Sequence, residues 1–429
     1  MSTPEPAELH HRAAPEYPGA AFWSVGALLA LSYASATAPS ILYRRYQADW
    51  HFSSGMVTSV FAVYSVAVIV ALLLTGAASD VGRRKPFLFL ALGLCALSML
   101  IFAAADGVVW LFVARVVQGL GVGVGLSPLG GMLLDLRPVG RQGAFVSQAA
   151  TNVGMMIGAL GAGVLADLAP RPTVTVYVIL MAVFLVAIVS VRALPETVHT
   201  TGAGTGFVAS RRISLPAGRR REFWLLSLGA IATWAVGGFY MSLGPTVSAQ
   251  ILHTGSYTVN AVSIAVLAGG GLLAQVLCYG WSFRREMVTG AVLLAVGTGG
   301  VLWSMWPDSA ILFFTGSAVL SLGFGLTAVG SFRSLIALAQ PTRRAEVVAA
   351  VYVVSFLAFS APAVAAGFAA MRYGLRGTMV VLGAAVAAMA AIAAIAAVLT
   401  PEVVAEPLRA GPGRTAGAPA VQRAEGGVP

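Results

Sequence analysis

Residues 76–85 read GAASDVGRRK, a short charged segment between two long apolar stretches. The stretch before it, 55–78, and the stretch after it, 87–105, are almost free of charge outside this segment. Each is about as long as the roughly 20 residues that a helix needs to cross the hydrocarbon core of a bilayer. A basic connection between two such stretches is typical of a loop at a membrane surface. This part of the chain is therefore predicted to cross a membrane twice, with a tight charged turn between the two helices.

The same pattern extends along the whole chain. Of its 429 residues, 58% are hydrophobic and only 10% are charged, whereas a soluble domain typically carries about 25% charged residues. A soluble protein of this composition would expose large apolar patches. The chain is therefore predicted to be an all-α membrane protein with twelve transmembrane helices. The predicted spans are residues 21–43, 55–78, 87–105, 108–134, 143–168, 172–193, 223–248, 259–281, 287–306, 310–332, 347–370 and 376–399.

The twelve spans fall into two groups of six. The first six-helix half covers residues 21–193 and the second covers residues 223–399, with a basic cytoplasmic linker, 194–222, between them. A polar tail, 1–20, precedes the first half, and a tail rich in Pro, Gly and Ala, 400–429, follows the second and is expected to be disordered. Two six-helix halves with a substrate site between them are typical of secondary transporters.

The basic residues predict the orientation. If twelve spans are present, 20 of the 26 basic residues fall in loops, linker and tails on the side of the two termini, and Arg115 falls within a span. Because cytoplasmic loops are enriched in Lys and Arg, both termini are predicted to be cytoplasmic, in the plasma membrane of a bacterium. Charges spread over loops do not form the basic patch of a nucleic-acid-binding domain, so no nucleic-acid partner is expected. Five basic residues are predicted to lie on the opposite side of the membrane: Arg44, Arg45, Arg171, Arg372 and Arg376.

Residues 115–125, RVVQGLGVGVG, place an arginine inside the fourth span. A charge within a span is costly, so Arg115 is a functional-site hypothesis by default. Gln118, three residues on, shares its helix face. The alternative is that the Arg115 side chain extends to the outer membrane interface, about seven residues or roughly 10 Å away. Both interpretations stay open at this point.

The segment between the second and third spans resembles the signature loop of the major facilitator superfamily, Gly-x-x-x-Asp-x-x-Gly-Arg-Arg, with one residue instead of two between Asp80 and Gly82. The matching residues are Gly76, Asp80, Gly82, Arg83 and Arg84. The resemblance implies the superfamily's fold of two six-helix bundles and a conformational latch formed by this loop. The alternative is that this is an ordinary cytoplasmic loop, which would be enriched in basic residues in any membrane protein. This alternative applies above all to the basic residues of the segment.

The latch hypothesis makes a structural expectation. The Asp80 carboxylate is expected to accept hydrogen bonds from the Arg83 region and to lie near the start of the eleventh span, around Glu346 and Val347. That helix would begin at the cytoplasmic face, where the positive end of its dipole favours a carboxylate. The latch should then form mainly when the cytoplasmic side is closed.

Three residues of the fourth span, Arg115, Gln118 and Gly119, resemble the superfamily's Arg-x-x-Gln-Gly pattern. In proton-coupled relatives this arginine is linked to proton transfer, and the resemblance implies the same role for Arg115. No Asp or Glu lies in the middle of any predicted span, so a proton-coupled mechanism would depend on Arg115 or on an acid near a helix end.

Residues 154–163, GMMIGALGAG, partly resemble the glycine-rich fifth helix of drug/proton antiporters. Gly154, Gly158 and Gly163 fit that pattern, but Ala159 stands where the pattern has a proline. Without the proline, the alternative is that these glycines serve close helix packing.

The resemblance implies that spans 1, 4, 7 and 10 face a central cavity. Their polar and aromatic residues, with some from flanking spans, are neutral apart from Arg115. Such a lining suits an amphipathic or aromatic small molecule better than a sugar, which needs many hydrogen-bonding partners. For each serine or threonine there, the alternative is a hydroxyl bonded to its own helix backbone. The candidate cavity residues are Tyr33, Tyr64, Arg115, Gln118, Asn152, Trp234, Tyr240, Gln275 and Tyr352.

The sequence therefore predicts a secondary active transporter that exports its substrate by alternating access. A metabolite importer or facilitator is the alternative within the class; a polytopic membrane enzyme or a non-transporting sensor is the alternative outside it. An enzyme would need His, Asp or Glu clustered near one membrane face, and the sequence shows no such cluster. No catalytic residue, metal or cofactor is expected. The expected partners are a small-molecule substrate, the lipid bilayer and, if transport is proton-driven, a coupling proton, with the protein as a monomer.

Overall fold

The described part of the chain is helical throughout, which confirms the predicted all-α class. The structure is a computed structural model that describes residues 19–81, 83–136, 142–197, 218–339 and 344–399, with their side chains except those at 76–81, 144, 344 and 345. The helices are α1 (Gly19–Trp50), α2 (Ser54–Val81), α3 (Arg84–Ala103), α4 (Val108–Leu136), α5 (Gln142–Leu168), α6 (Pro172–Ser190), α7 (Arg220–Ser242), α8 (Gly244–Leu252), α9 (Tyr257–Leu277), α10 (Phe283–Ser304), α11 (Ala310–Ala337) and α12 (Arg344–Leu399).

The seventh predicted span, 223–248, is wrong as a single helix. α7 ends at Ser242, and the chain continues as the nine-residue α8. Pro245, in the first turn of α8, has no N–H to donate to the carbonyl one turn earlier, and its ring clashes with that carbonyl. Gly244 beside it adds conformational freedom. The helix therefore breaks at this pair.

The eleventh and twelfth predicted spans, 347–370 and 376–399, belong to one element, α12. It is interrupted at Gly374, whose φ of 77° and ψ of 161° are not helical. A positive φ is easily adopted only by glycine, so the chain turns there without a loop. The 56 residues of α12 would extend about 84 Å as a straight helix, far more than a bilayer. We therefore describe residues 344–373 as its first limb and 375–399 as its second.

Eleven of the described elements are long and apolar enough to cross a membrane. Because α12 has two limbs, they supply the twelve predicted crossings. Large apolar side chains remain exposed on the outer surface of the bundle, among them Ile157, Val186 and Ile311. Such a surface would aggregate in water, but in a bilayer it faces acyl chains.

The two six-helix halves repeat one packing scheme. In the first half, α3 packs on α4 and α6, and α2 packs on α4. In the second half, α10 packs on α11 and on α12, and α9 packs on α11. Glycines allow the close approaches: Gly297 and Gly323 bring the backbones of α10 and α11 together.

The two ends of the bundle differ in what they carry. We call the end where α6 stops and α7 starts the linker end, and the opposite end the far end. The halves meet along two helix pairs, α5 with α9 and α2 with α12. Towards the far end, Gly163 of α5 packs on Ala261 of α9, and Gly367 of α12 packs on Thr58 of α2. The far end is therefore closed by helix contacts between the halves.

Candidate functional site

The linker end of the first half is held by a buried arginine. Arg84 opens α3, and its side chain is only 9% exposed. Its guanidinium donates to the Asp135 carboxylate, at the end of α4, over 2.5 Å and to the Thr197 hydroxyl over 2.9 Å. Gly131 of α4 leaves the space that the guanidinium occupies. Arg84 is thus part of a fixed network rather than a solvated loop charge.

Glu196, just after α6, binds the first turn of α3. Its carboxylate accepts the backbone N–H groups of Arg84, at 2.9 Å, and Lys85, at 3.3 Å. These N–H groups have no partner within their own helix, and the helix dipole favours an anion there. Lys85 in turn donates to the backbone carbonyl of Arg192, over 3.3 Å. The carboxylate therefore ties α3 to the end of α6.

The second half repeats this arrangement with the charges exchanged. Glu286, in the first turn of α10, accepts a 2.6 Å hydrogen bond from Arg333, near the end of α11. Arg284 donates to the backbone carbonyl of Ala397, at the end of α12, over 3.2 Å. In the first half the cation is on the earlier helix and the acid on the later one. Both halves therefore have an ion pair between these two helices, but the acid and the base have exchanged helices.

Three residues of the predicted latch lie outside the residues that the structure describes in full. Gly82 is not described, and Gly76 and Asp80 are described by their backbone alone. Arg83 is described, with an exposed side chain 3.9 Å from Glu196. The contact expected between Asp80 and the start of α12 stays a prediction.

Arg115 is completely buried in the first half. Its Nε donates to the Tyr43 hydroxyl over 2.7 Å, and one Nη donates to the Ala36 carbonyl over 2.9 Å and to the Gln118 side-chain oxygen over 2.7 Å. Gln118 completes the network by donating to the Ser35 carbonyl over 2.9 Å. The guanidinium thus lies inside the protein, and its hydrogen-bond partners belong to α1 and α4.

Three aromatic rings surround the same guanidinium. The rings of Tyr43, Tyr64 and Phe102 have their centres 5.4, 5.5 and 5.8 Å from its central carbon. Cation–π contacts at this range favour a desolvated cation by about 2 kcal/mol. The second Nη of Arg115 has no hydrogen-bond partner among the described residues. One nitrogen of this buried cation therefore has aromatic rings around it and no hydrogen-bond acceptor among the described residues.

The glycines after Gln118 alternate between two neighbouring helices. A side chain at Gly119 or Gly123 would collide with α2, one at Gly121 would collide with α3, and one at Gly125 would be in tight contact with α3. Small residues at such positions let helix backbones approach closely in a membrane. This segment therefore lets α4 pack closely between α2 and α3.

The glycines of the fifth-helix segment lie at two different interfaces. A side chain at Gly154 would collide with the Ala30 carbonyl, and one at Gly158 with the Ala34 carbonyl, both on α1. Gly163 instead packs on α9 of the other half, against Thr258 and Ala261. Their positions fit the close-packing interpretation of this segment.

Four aromatic side chains form a chain of contacts between the halves, which we call the aromatic bridge: Phe61 of α2, Trp234 of α7, Phe324 of α11 and Phe359 of α12. The Trp234 ring lies 6.3 Å from the Phe324 ring and 5.9 Å from the Phe359 ring, both edge to face. Phe359 contacts Phe61 at 4.9 Å across the interface. Of these four, Trp234 alone is among the cavity residues predicted from the sequence.

The other candidate cavity residues lie in both halves. Tyr240 and Ser317 share a hydrogen bond of 2.8 Å inside the second half. Asn152 of α5 lies at the α9 interface, beside Gly271. Gln275 is buried, and its side-chain oxygen has no partner among the described residues. The remaining three are Tyr33 and Tyr352, which are partly buried, and Tyr64, which lies against Arg115.

Several hydroxyls of the predicted lining are bound to their own helices. Ser32, Thr37, Thr233 and Ser321 each donate to a backbone carbonyl three or four residues earlier. This is the alternative that applies to any hydroxyl in an apolar helix. These four hydroxyls are therefore already satisfied as donors.

Asp167 is a contact between the halves that sequence reasoning missed. This residue is the last but one of α5, and its carboxylate accepts the Ser256 hydroxyl at 2.7 Å and the backbone N–H groups of Tyr257 and Thr258 at 2.8 and 2.9 Å. It therefore caps α9 of the other half at the far end. An acid at the C-terminus of its own helix is unfavourable, because the negative end of the helix dipole lies there. This unfavourable position is the feature of the sequence that could have indicated a partner on another helix.

Comparisons with known proteins agree with this architecture. A family model described as Major Facilitator Superfamily matches residues 23–361. A bacterial homolog to the human lysosomal transporter Spinster, inward-facing and unoccupied, aligns with a TM-score of 0.70 over 92% of this chain and 98% of its own, at 14% identity. Its inward-facing, occupied form aligns with a TM-score of 0.68 over 90% and 98%, also at 14% identity. The human organic anion transporter MFSD10 (TETRAN) aligns with a TM-score of 0.64 over 88% and 100%, at 15% identity. A sequence comparison with curated proteins finds no significant match.

The family match covers well over half of the chain and includes both segments whose motifs predicted it. The solved structures share the two-half helical fold at low identity. The predicted superfamily is therefore confirmed, and with it the general class of function. This chain is a multi-pass membrane transporter of a small molecule, and it belongs to the Major Facilitator Superfamily.

Proposed function

We propose that this transporter is a secondary active exporter of a small amphipathic or aromatic molecule, working by alternating access. The observation that carries the proposal is the aromatic bridge. Trp234, Phe324 and Phe359 lie near the middle of their helices, and Phe359 touches Phe61 across the interface. A substrate that binds between the halves at mid-depth would therefore meet rings rather than charges.

Ring surfaces favour a particular kind of substrate. Edge-to-face and stacked contacts with an aromatic group each add about 0.5–1.5 kcal/mol beyond the burial of area. A sugar would instead need convergent donors and acceptors, and four of the hydroxyls in this region already bond to their own helices. The class of substrate proposed is therefore apolar or amphipathic.

The contacts between the halves at the far end support alternating access. Asp167 accepts three hydrogen bonds from the start of α9, and bonds to an ionised acceptor are stronger than neutral ones. These bonds and the packing of Gly163 on Ala261 must break for the far end to open. In the proposed transport cycle, a conformation with the far end closed therefore alternates with one in which the linker end is closed.

We further propose that the linker end faces the cytoplasm of a bacterial cell and that both termini lie there. The protein would work as a monomer in the plasma membrane, with a proton as the coupling ion to test. An importer or facilitator remains the alternative. The direction of substrate movement in everted and right-side-out vesicles, with and without a proton gradient, distinguishes export from import and tests the coupling.

The orientation can be tested by reporter fusions. Green fluorescent protein fused at residue 205 or at the C-terminus is expected to fluoresce, and alkaline phosphatase at the same sites is expected to be inactive, because basic loops remain cytoplasmic. A fusion at residue 106, between α3 and α4 at the far end, is the control and should give the opposite pair of signals. Phosphatase activity at residue 205 would contradict the orientation.

The aromatic bridge can be tested by ligand stabilisation. A panel of neutral, cationic and anionic aromatic compounds and of sugars is screened for an increase in the unfolding temperature of the purified protein. Aromatic ligands are expected to stabilise it, and Trp234→Leu is expected to weaken their binding by about tenfold, because one ring contact is lost.

Trp303→Leu is the matched control, since Trp303 is 68% exposed on the outer surface of α10. This variant should bind the same ligands as the unmodified protein. Stabilisation by sugars alone, or equal binding by the Trp234→Leu variant, would contradict the proposed substrate class.

A further inference from the structure

A groove opens at the linker end of the second half, and all the residues that line it belong to that half. Its volume is about 610 Å³. The turn between α9 and α10, the first turns of α10 and the end of α12 form its walls. The residues that line it are Gly280, Trp281, Ser282, Arg284, Arg285, Val288, Thr289 and Val398.

The charged side chains in this lining are both cations. The Arg285 side chain is exposed, and its guanidinium lies over the Trp281 ring, 5.6 Å from the ring centre. Arg284 is held in place by its bond to the Ala397 carbonyl. The nearest acid along the chain, Glu286, is buried and points to Arg333. The charged part of the groove lining is therefore positive.

The start of α10 adds to the positive potential. Ser282 caps this helix by accepting the backbone N–H of Arg285 over 3.4 Å. Other N–H groups of the first turn have no partner within the helix, and the positive end of the helix dipole lies there. A helix of 22 residues carries the full dipole. Backbone and side chains thus favour the same kind of ligand, an anion with several acceptor oxygens.

The groove lies where the apolar outer surface ends. Leu277 on α9, Val292 on α10 and Val398 on α12 are all more than half exposed and face outward. Immediately beyond them come Tyr279 and Trp281, which are aromatic, and then the two arginines. Aromatic residues followed by basic ones mark the headgroup level of a bilayer. The groove is therefore at the depth of lipid phosphates.

We propose that this groove binds the headgroup of an anionic phospholipid. The phosphate lies between Arg284, Arg285 and the start of α10, and the acyl chains follow the exposed apolar faces of α10 and α12. A soluble phosphate compound shares the chemistry of the headgroup but gains nothing from those apolar faces. Lipid binding here is independent of the transported substrate, so its test stands apart from that of the proposed function.

The test is native mass spectrometry of the full-length protein in detergent, titrated with phosphatidylglycerol or phosphatidylcholine. Phosphatidylglycerol is expected to bind more tightly. Arg285→Gln is expected to weaken its binding about fivefold, since one basic residue near an anionic lipid surface contributes about 1 kcal/mol. Arg285→Lys keeps the charge and should retain most of the binding.

Arg372→Gln is the matched control. Arg372 also stacks on a ring, with its guanidinium 5.6 Å from the centre of Tyr373, but it lies at the far end and outside the groove. This variant should bind phosphatidylglycerol like the unmodified protein. Equal binding by the Arg285→Gln variant, or an equal loss in the Arg372→Gln variant, would overturn the proposal. Inorganic phosphate that displaces the lipid at millimolar concentration would overturn the assignment to a lipid.

Discussion

Replacing Arg115 by alanine is expected to abolish transport while the protein still reaches the membrane. The guanidinium is fully buried, donates to Tyr43, Ala36 and Gln118, and has one further donor without a partner among the described residues. A cation inside a membrane-spanning segment is costly, which makes it a candidate for a functional role by default. Two of its partners, Tyr43 and Ala36, sit on α1, which would line the substrate path, so loss of the cation should affect that helix directly.

Stability should fall as well, but by less than would prevent insertion. The alanine variant leaves the Tyr43 hydroxyl and the Gln118 side-chain oxygen without the donor that they now have. Each buried group left unsatisfied costs about 1–3 kcal/mol. We therefore expect a lower unfolding temperature in detergent and near-normal levels in the membrane, measured beside uptake of a ligand found in the stabilisation screen.

Two further variants separate charge from hydrogen bonding. Arg115→Lys keeps a cation but lacks the planar fork that reaches three acceptors at once, so it should restore stability in part and transport poorly. Tyr43→Phe removes one acceptor and keeps the cation, and it should transport at a reduced rate. Transport at the unmodified rate by the Arg115→Ala variant would show that the guanidinium is structural only.

The Arg115 network shows what a sequence can and cannot predict. The cost of a charge in a span, and the spacing of Gln118, were enough to single out both residues. Two of their partners on α1 are the backbone carbonyls of Ala36 and Ser35, some 80 positions away in the chain. A backbone carbonyl has no signature in sequence, so the direction in which the guanidinium points could not be predicted.

The helix ends show the same limit. Apolar length predicted that a crossing exists near 223–248 and near 347–399, but the break at Gly244–Pro245 and the turn at Gly374 depend on one or two residues. The capping role of two acids was missed for a related reason. Glu196 and Asp167 each bind the first turn of a helix that is distant in sequence, so local patterns of helix capping did not include them.

Gly154→Ala and Gly158→Ala are expected to destabilise the protein strongly, whereas Gly161→Ala in the same helix should not. A methyl group at 154 or 158 collides with the backbone of α1, at Ala30 or Ala34. Backbone cannot move aside as a flexible side chain can, so α1 and α5 must separate along their length. Overpacking of this kind costs about 1–3 kcal/mol per site. The methyl group at Gly161 meets nothing within 4 Å.

The Gly161→Ala control should be slightly more stable than the unmodified protein, because alanine favours the helix over glycine by up to about 1 kcal/mol. Unfolding temperatures in detergent, measured for all three variants, test this difference directly, and transport by each variant separates the two interpretations of the glycines. If they serve close packing, stability and transport fall together in the Gly154→Ala and Gly158→Ala variants. A Gly158→Ala variant that keeps its unfolding temperature but loses transport would instead mean that α5 must move against α1 during the cycle. Equal effects of the alanines at 158 and 161 would contradict both interpretations, since only the first of them faces another helix.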